Sequence, residues 1–137
     1  MSKSTEKCPF CTENNLLRVK ILHEEDLWYI ADMEEGSINN AVMAITRRHV
    51  ETPFQLNTNE WMALHSILNK MKKLVDNKEK SDGYNLGWNI HKTGGQNVSH
   101  AHLHLLGRYQ DEPYAGKGIR YTFKQPENIR TSSKIKR

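Results

Sequence analysis

The chain is short of three things, and each shortage excludes a class of protein. Two cysteines in 137 residues are too few for the disulfide framework of a small secreted domain. No apolar run is longer than a few residues, so no stretch is long enough to cross a bilayer as a helix. Met1 to Lys7 leads into no apolar segment of the kind a secretory signal carries. A cytoplasmic protein with no membrane partner is expected. Apolar residues make up 36% and charged residues 26%, with a mean hydropathy of −0.78. That is polar yet too rich in Trp, Tyr and Leu for wholesale disorder. A chain of this length buries roughly two thirds of its unfolded surface, enough for a core without covalent staples.

The net charge of +4 hides an asymmetry. Residues 117–137 hold seven Lys and Arg against one acid, Glu127, whereas residues 1–116 hold thirteen against fifteen. The expected organisation is one domain over 1–116 followed by a basic, solvated tail over 117–137. Nucleic acid is not an expected partner.

Val19–His23 and Leu27–Ala31 flank the acidic turn Glu24-Glu25-Asp26 and read as a hairpin. Ala41–Ile45 is a short continuous apolar run, suited to a strand buried on both faces. Asn57 to Glu60 is rich in helix-capping side chains. Beyond it Trp61, Leu64, Leu68, Met71 and Val75 recur at helical steps, widened by Ile67 and Leu74. Tyr84–Ile90 reads as a strand, and Ser99–Tyr109 as another, longer one. Hairpin strands with one long helix argue for an α+β fold with a mainly antiparallel sheet of about five strands.

Three of the seven histidines lie in His100-Ala101-His102-Leu103-His104. Side chains alternate along a strand, so the three imidazoles share one face and Ala101, Leu103 and Leu105 point into a core behind it. Each buried ring needs a polar partner, which makes packing alone a poor explanation. Two chemistries fit: an open catalytic metal site, or nucleophilic attack by a neutral imidazole. Gly94-Gly95-Gln96-Asn97 enters the strand directly, and its backbone and side-chain amides suit an anion such as phosphate. Cys8-Pro9-Phe10-Cys11 is open to three readings: a redox pair, two unrelated thiols, or half of a zinc site. Too few residues precede Cys8 for the buried strand a glutaredoxin-like site needs.

Gly95 to Leu106, with its Gly-Gln pair and His-x-His-x-His followed by two apolar residues, resembles the signature of the histidine-triad (HIT) family. The likeness covers roughly residues 8–109. It implies a HIT-like fold, usually a homodimer, and attack on the α-phosphate of a nucleotide. By position His102 resembles the nucleophile and His104 a phosphate ligand. Asn89, Gln96 and Asn97 fall at phosphate-site positions, and Asp32 where an acid binds ribose hydroxyls. Residues near Ile21, Leu22 and Ile30 would sandwich the base. Several relatives hold structural zinc, and Cys8, Cys11, His49 and His100 occupy the matching positions. The sequence departs from the family's pattern at Ala41, Thr46, Asn97 and Gly107. The activity implied is hydrolysis of a nucleoside phosphoramidate or dinucleoside polyphosphate, with a purine nucleotide as the partner. A nucleotidyltransferase or phosphorylase, and a non-catalytic nucleotide-binding module, are the alternatives.

Overall fold

The computed structural model of the chain describes residues 7–33, 38 and 40–135. The first six residues of the N-terminal lead, and Lys136 and Arg137 of the basic tail, lie outside the described residues. Five strands, β1 (Ile21–Glu24), β2 (Trp28–Asp32), β3 (Ala41–Thr46), β4 (Gly83–Trp88) and β5 (His102–Arg108), form one sheet in the order β1-β2-β3-β5-β4. Every adjacent pair is antiparallel. One long helix, α1 (Thr58–Lys78), lies against the sheet. The architecture is the α+β arrangement expected from the sequence.

Strand periodicity divides the apolar residues between two faces. Trp28, Ile30, Val42, Ala44, Leu103 and Leu105 pack with Leu64, Ile67, Met71 and Val75 of α1. Tyr29, Ala31, Met43 and Ile45 face the other way and pack with Cys8, Phe10 and Cys11. The central strands are therefore covered twice, by the helix and by the N-terminal segment. This double cover is why Ala41–Ile45 is apolar without alternation.

The buried stripe of α1 begins one residue earlier than its apolar spacing indicates. Glu60 is buried, whereas Trp61 is 47% exposed and leans on Trp88. The cause is a capping box: Asn57 Oδ1 accepts from the Glu60 N–H, and Glu60 Oε1 accepts from the Asn57 N–H, both at 2.9 Å. Arg48 then donates to the same carboxylate at 2.7 and 3.2 Å and to the Gln55 carbonyl at 2.9 Å. Burial pushes the Glu60 carboxyl upward, but Arg48 and the Asn57 N–H outweigh it and hold the group below its ordinary value.

β5 is shorter than the expected Ser99–Tyr109. Its pairing with β3 runs only to Ile45↔His102, because the next residue back, Ala101, does not bond to Thr46, whose carbonyl accepts from the His100 side chain. His100 and Ala101 therefore precede the strand, with the Ala101 N–H bonded to the Val50 carbonyl at 2.7 Å. At the other end Arg108 donates to Glu112 Oε1 and to the carbonyls of Tyr114 and Lys117, each at 2.8 Å, and also to Asn85. The segment after β5 is thereby folded back on β4, and Ile119 lies over Gly87. Residues just beyond 117 begin against the domain rather than away from it.

Arg48→Ala would leave the buried Glu60 carboxylate without its cation. Loss of about 2–3 kcal/mol is expected, below the ~3–5 of a fully buried pair because Arg48 is itself half exposed. Urea unfolding of the variant beside wild type measures it.

Candidate active site and metal centre

The site is built outward from His100, a fully buried imidazole. Its Nε2–H donates to the Thr46 carbonyl at 2.7 Å, so its proton is on Nε2 and a lone pair is left on Nδ1. Burial, the larger cause, and the neighbouring His49 and His102 lower its pKa to about 4, so the ring is neutral near pH 7. That Nδ1 lies 3.4 Å from Cys8 Sγ, 3.6 Å from Cys11 Sγ and 3.1 Å from His49 Nδ1, and Cys11 Sγ lies 3.2 Å from His49 Nδ1. All four ligand atoms fall within 4.8 Å of one another.

Those separations can be tested against a metal. A tetrahedron with bonds of about 2.0–2.3 Å has edges of about 3.3–3.8 Å, close to the distances found. The donor chemistry agrees. Burial, and then Cys8 beside it, push the Cys11 thiol up to about 12, so a thiolate there needs a cation. The four residues that the sequence resemblance grouped thus form one cluster that could hold a metal ion.

His102 begins β5 and faces the same way. Its Nδ1–H donates to the His100 carbonyl at 2.7 Å, which leaves the lone pair on Nε2. The Phe10 ring stands nearly perpendicular to it, at 84° with centroids 5.0 Å apart. His104 follows on the same face, and its ring leans to 4.8 Å from that of His102, closer than the ~6.6 Å rise of two strand residues. His104 Nε2 is buried with no hydrogen-bond partner among the described residues. Such an orphan is costly in the free protein and marks a place where a ligand atom would be welcome.

These rings open on a cleft of about 900 Å³. His102, His104, Asn89 and Asn97 line it, together with Gly95. Gly95 takes the left-handed φ of 99°, and a Cβ there would stand only 3.6–3.8 Å from the Asn89 side-chain amide. The left-handed backbone is what requires glycine, since a Cβ at that distance would be in ordinary van der Waals contact. Two expected substrate residues are placed elsewhere. Gln96 accepts from the His91 N–H at 2.7 Å and donates to the Glu51 carbonyl at 2.6 Å, so its amide ties the glycine loop to the loop after β3. Asp32 does not line the cleft. It has the strand parity of Trp28 and Ile30, on the helix face, and its Oδ1 accepts from Lys78 Nζ at 2.7 Å and from the Met33 N–H at 3.0 Å.

The apolar wall also differs from expectation. Leu22 and Ile30 pack on the helix side, and Ile21, packed with the other face's core, is not among the described residues that line the cleft. The lining comes instead from Phe10, Leu17, Val19, Met33 and Met43, with Ile119 from the fold-back. Phe10 sits inside the Cys-x-x-Cys motif, and its place between the two cysteines was the available signal. Met33 and Met43 were hidden, because which face they occupy depends on register.

Comparison with known proteins agrees with this geometry. The HIT domain family matches residues 17–111, and the chain belongs to the HIT family. An uncharacterized HIT-like protein of Methanocaldococcus jannaschii is 27% identical over 109 residues, spanning 77% of this chain and 81% of its own. A HIT family hydrolase from Legionella pneumophila superposes with a TM-score of 0.62 at 29% identity, over 76% of this chain and 95% of that one. The Streptococcus mutans protein SMU.412c shares the fold, with a TM-score of 0.70 at 23% identity over 82% and 73% of the two chains.

Burial, with a smaller contribution from His102, lowers the His104 pKa from 6.5 to about 4. The folded ring stays neutral while the unfolded one protonates, so acid favours unfolding between those two values. The stability of wild type relative to His104→Asn should be constant above pH 7 and fall as pH drops from 6.5 to 4. Paired urea titrations across that range check the sign.

Proposed function

We propose that the protein is a hydrolase that cuts at the α-phosphate of a nucleoside phosphoramidate or dinucleoside polyphosphate, through a nucleotidyl-histidine on His102. The observation that carries this reading is the bond from His102 Nδ1–H to the His100 carbonyl, which sets the tautomer whose nucleophilic lone pair is on Nε2, in a cleft lined by amides. His102 Nε2 bonds to phosphorus as the bond to the leaving group breaks, and the bonding pair departs with that group, which takes a proton from water. A water molecule then bonds to the same phosphorus, the N–P bond breaks, and the nucleotide leaves with His102 neutral again.

His104 Nε2, when it carries its proton, donates to a phosphate oxygen and satisfies its own buried atom. The side-chain amides of Asn89 and Asn97 supply further donors to the charge that spreads over phosphate in transfer. Gln96 serves by holding the glycine loop. We assign no substrate contact to Asp32. Phe10, Leu17, Val19 and the two methionines offer an apolar slot for a purine. Lys7 and Arg18 line the cleft and no described lining residue is a carboxylate, which favours a polyphosphate leaving group over an ammonium-bearing one.

We infer zinc as the ion for Cys8, Cys11, His49 and His100. Two thiolates and two imidazoles suit it by softness and charge, and a closed set of four leaves no open position for catalysis. Bound there, zinc supplies a structural cross-link between the N-terminal segment and the sheet. The exposed Trp61 and Met62 on α1 are consistent with a homodimer in which a second copy covers them.

The test is His102→Asn assayed on adenosine phosphoramidate and diadenosine polyphosphates. Turnover should fall by roughly a thousandfold or more while nucleotide affinity stays within about tenfold. Retention of more than about a tenth of wild-type turnover would mean that no covalent step passes through this residue.

A further inference from the structure

Phe10 lies in the first covering layer of the sheet, between the two cysteines of the metal cluster, and it does more than cover. Its ring meets two of the three triad rings, that of His102 at 5.0 Å and 84° and that of His100 at 6.1 Å and 75°. The ring cannot drift far, because its own backbone is fixed from beneath. The Tyr29 hydroxyl donates to the Phe10 carbonyl at 2.7 Å, and Tyr29 is a fully buried residue of β2. Asn14 Nδ2 donates to the Cys8 carbonyl at 3.0 Å on the other side of the motif.

The hydrogen bond at Nδ1 sets the tautomer of His102, and the rings packed against it, those of Phe10 and His104, bear on any swing of the imidazole about that bond. A perpendicular aromatic neighbour opposes that swing, since edge-to-face pairs hold a preferred angle. An attacking atom displaced by about 1 Å can lose a hundredfold in rate, so restraint of this kind matters for turnover.

We propose that Phe10, anchored through its carbonyl by Tyr29, is a positioning residue that holds the His102 ring in its attacking orientation. This rests on His102 being the nucleophile. The Cys-x-x-Cys segment then has two tasks: its sulfurs close the metal cluster, and the aromatic ring between them restrains the reacting imidazole. Phe10 touches no reacting atom in this role. Its influence reaches the chemistry only through His102.

The experiment uses the full chain with its metal and two variants, Phe10→Leu and Tyr29→Phe. Phe10→Leu keeps an apolar side chain but removes the ring. Tyr29→Phe removes only the bond that fixes the Phe10 backbone and leaves the cleft wall unaltered. Long-range ¹H–¹⁵N spectra of the imidazoles should show one sharp His102 tautomer protonated at Nδ1 in wild type. Averaging or broadening is expected in Phe10→Leu, and a weaker effect in Tyr29→Phe. In the same samples kcat should fall about tenfold for Phe10→Leu and about threefold for Tyr29→Phe, with KM within threefold and metal content unchanged. Unaltered His102 signals with an unchanged kcat in a metal-loaded Phe10→Leu would overturn the proposal, as would a change confined to KM, which would make Phe10 a wall only. Should Phe10→Leu lose its metal, Tyr29→Phe decides by the same two readouts. The spectra need no substrate. A wild type that turns over none of the nucleotides therefore defeats the functional reading, while the imidazole signals still judge Phe10.

Discussion

Three of the bonding groups of His100 are committed, and the arrangement of the site follows from where each goes. Its Nε2–H is bound to the last residue of β3, its Nδ1 faces two sulfurs and a second imidazole, and its carbonyl receives the ring of His102. A ring fixed at both nitrogens cannot rotate, so its backbone carbonyl becomes a rigid reference for the next histidine. The irregular entry to β5 has the same origin. The Ala101 N–H, opposite Thr46 in the register, bonds to Val50 while the Thr46 carbonyl accepts from His100 Nε2, and the strand begins only at His102. Commitment of the first histidine sets the tautomer of the second, with the proton on Nδ1 and the lone pair on Nε2.

The sheet serves this arrangement by being covered on both faces. α1 packs against one side, and the described residues before β1, which have little regular structure, pack against the other. A segment of that kind has few backbone bonds of its own and must be fixed by side chains. Tyr29, Asn14 and the cysteine–histidine cluster are those fixings. On the opposite face the Glu60–Arg48 pair joins the start of the helix to the residue before His49. Helix, loop and the cysteine–histidine cluster are thus held in one connected set of polar contacts within an otherwise apolar core. The Gln96 amide continues that set to the glycine loop beside the cleft.

Much of this was legible in the sequence because it depends on local period or on short motifs. The continuous apolar run of β3, the helix over Thr58–Lys78 and the shared face of the histidines all follow from such patterns. The four cluster residues were grouped by family resemblance, and the fold brings them together. What was not legible depends on tertiary context. Glu60 reads as a surface acid until Arg48 is seen beside it. Asp32 reads as a cleft residue by position in the motif, but strand parity turns it toward the helix and Lys78. Gln96 reads as a ligand, yet its amide is taken up by loop backbone. Ile119 belongs to a stretch whose charge suggests a solvated tail, and only the Arg108 fold-back brings it to the cleft. In each case a long-range partner, invisible to spacing, decides what the side chain does.

The claim on which the account turns is that His100 is held through Nδ1 by a metal shared with Cys8, Cys11 and His49. X-ray absorption at the metal edge, on protein purified without added metal and quantified by elemental analysis, tests it most directly. The account predicts about one zinc per chain, with two sulfurs near 2.3 Å and two nitrogens near 2.0 Å in the first shell. Protein that is folded with no bound metal, or a shell dominated by oxygen, would contradict it.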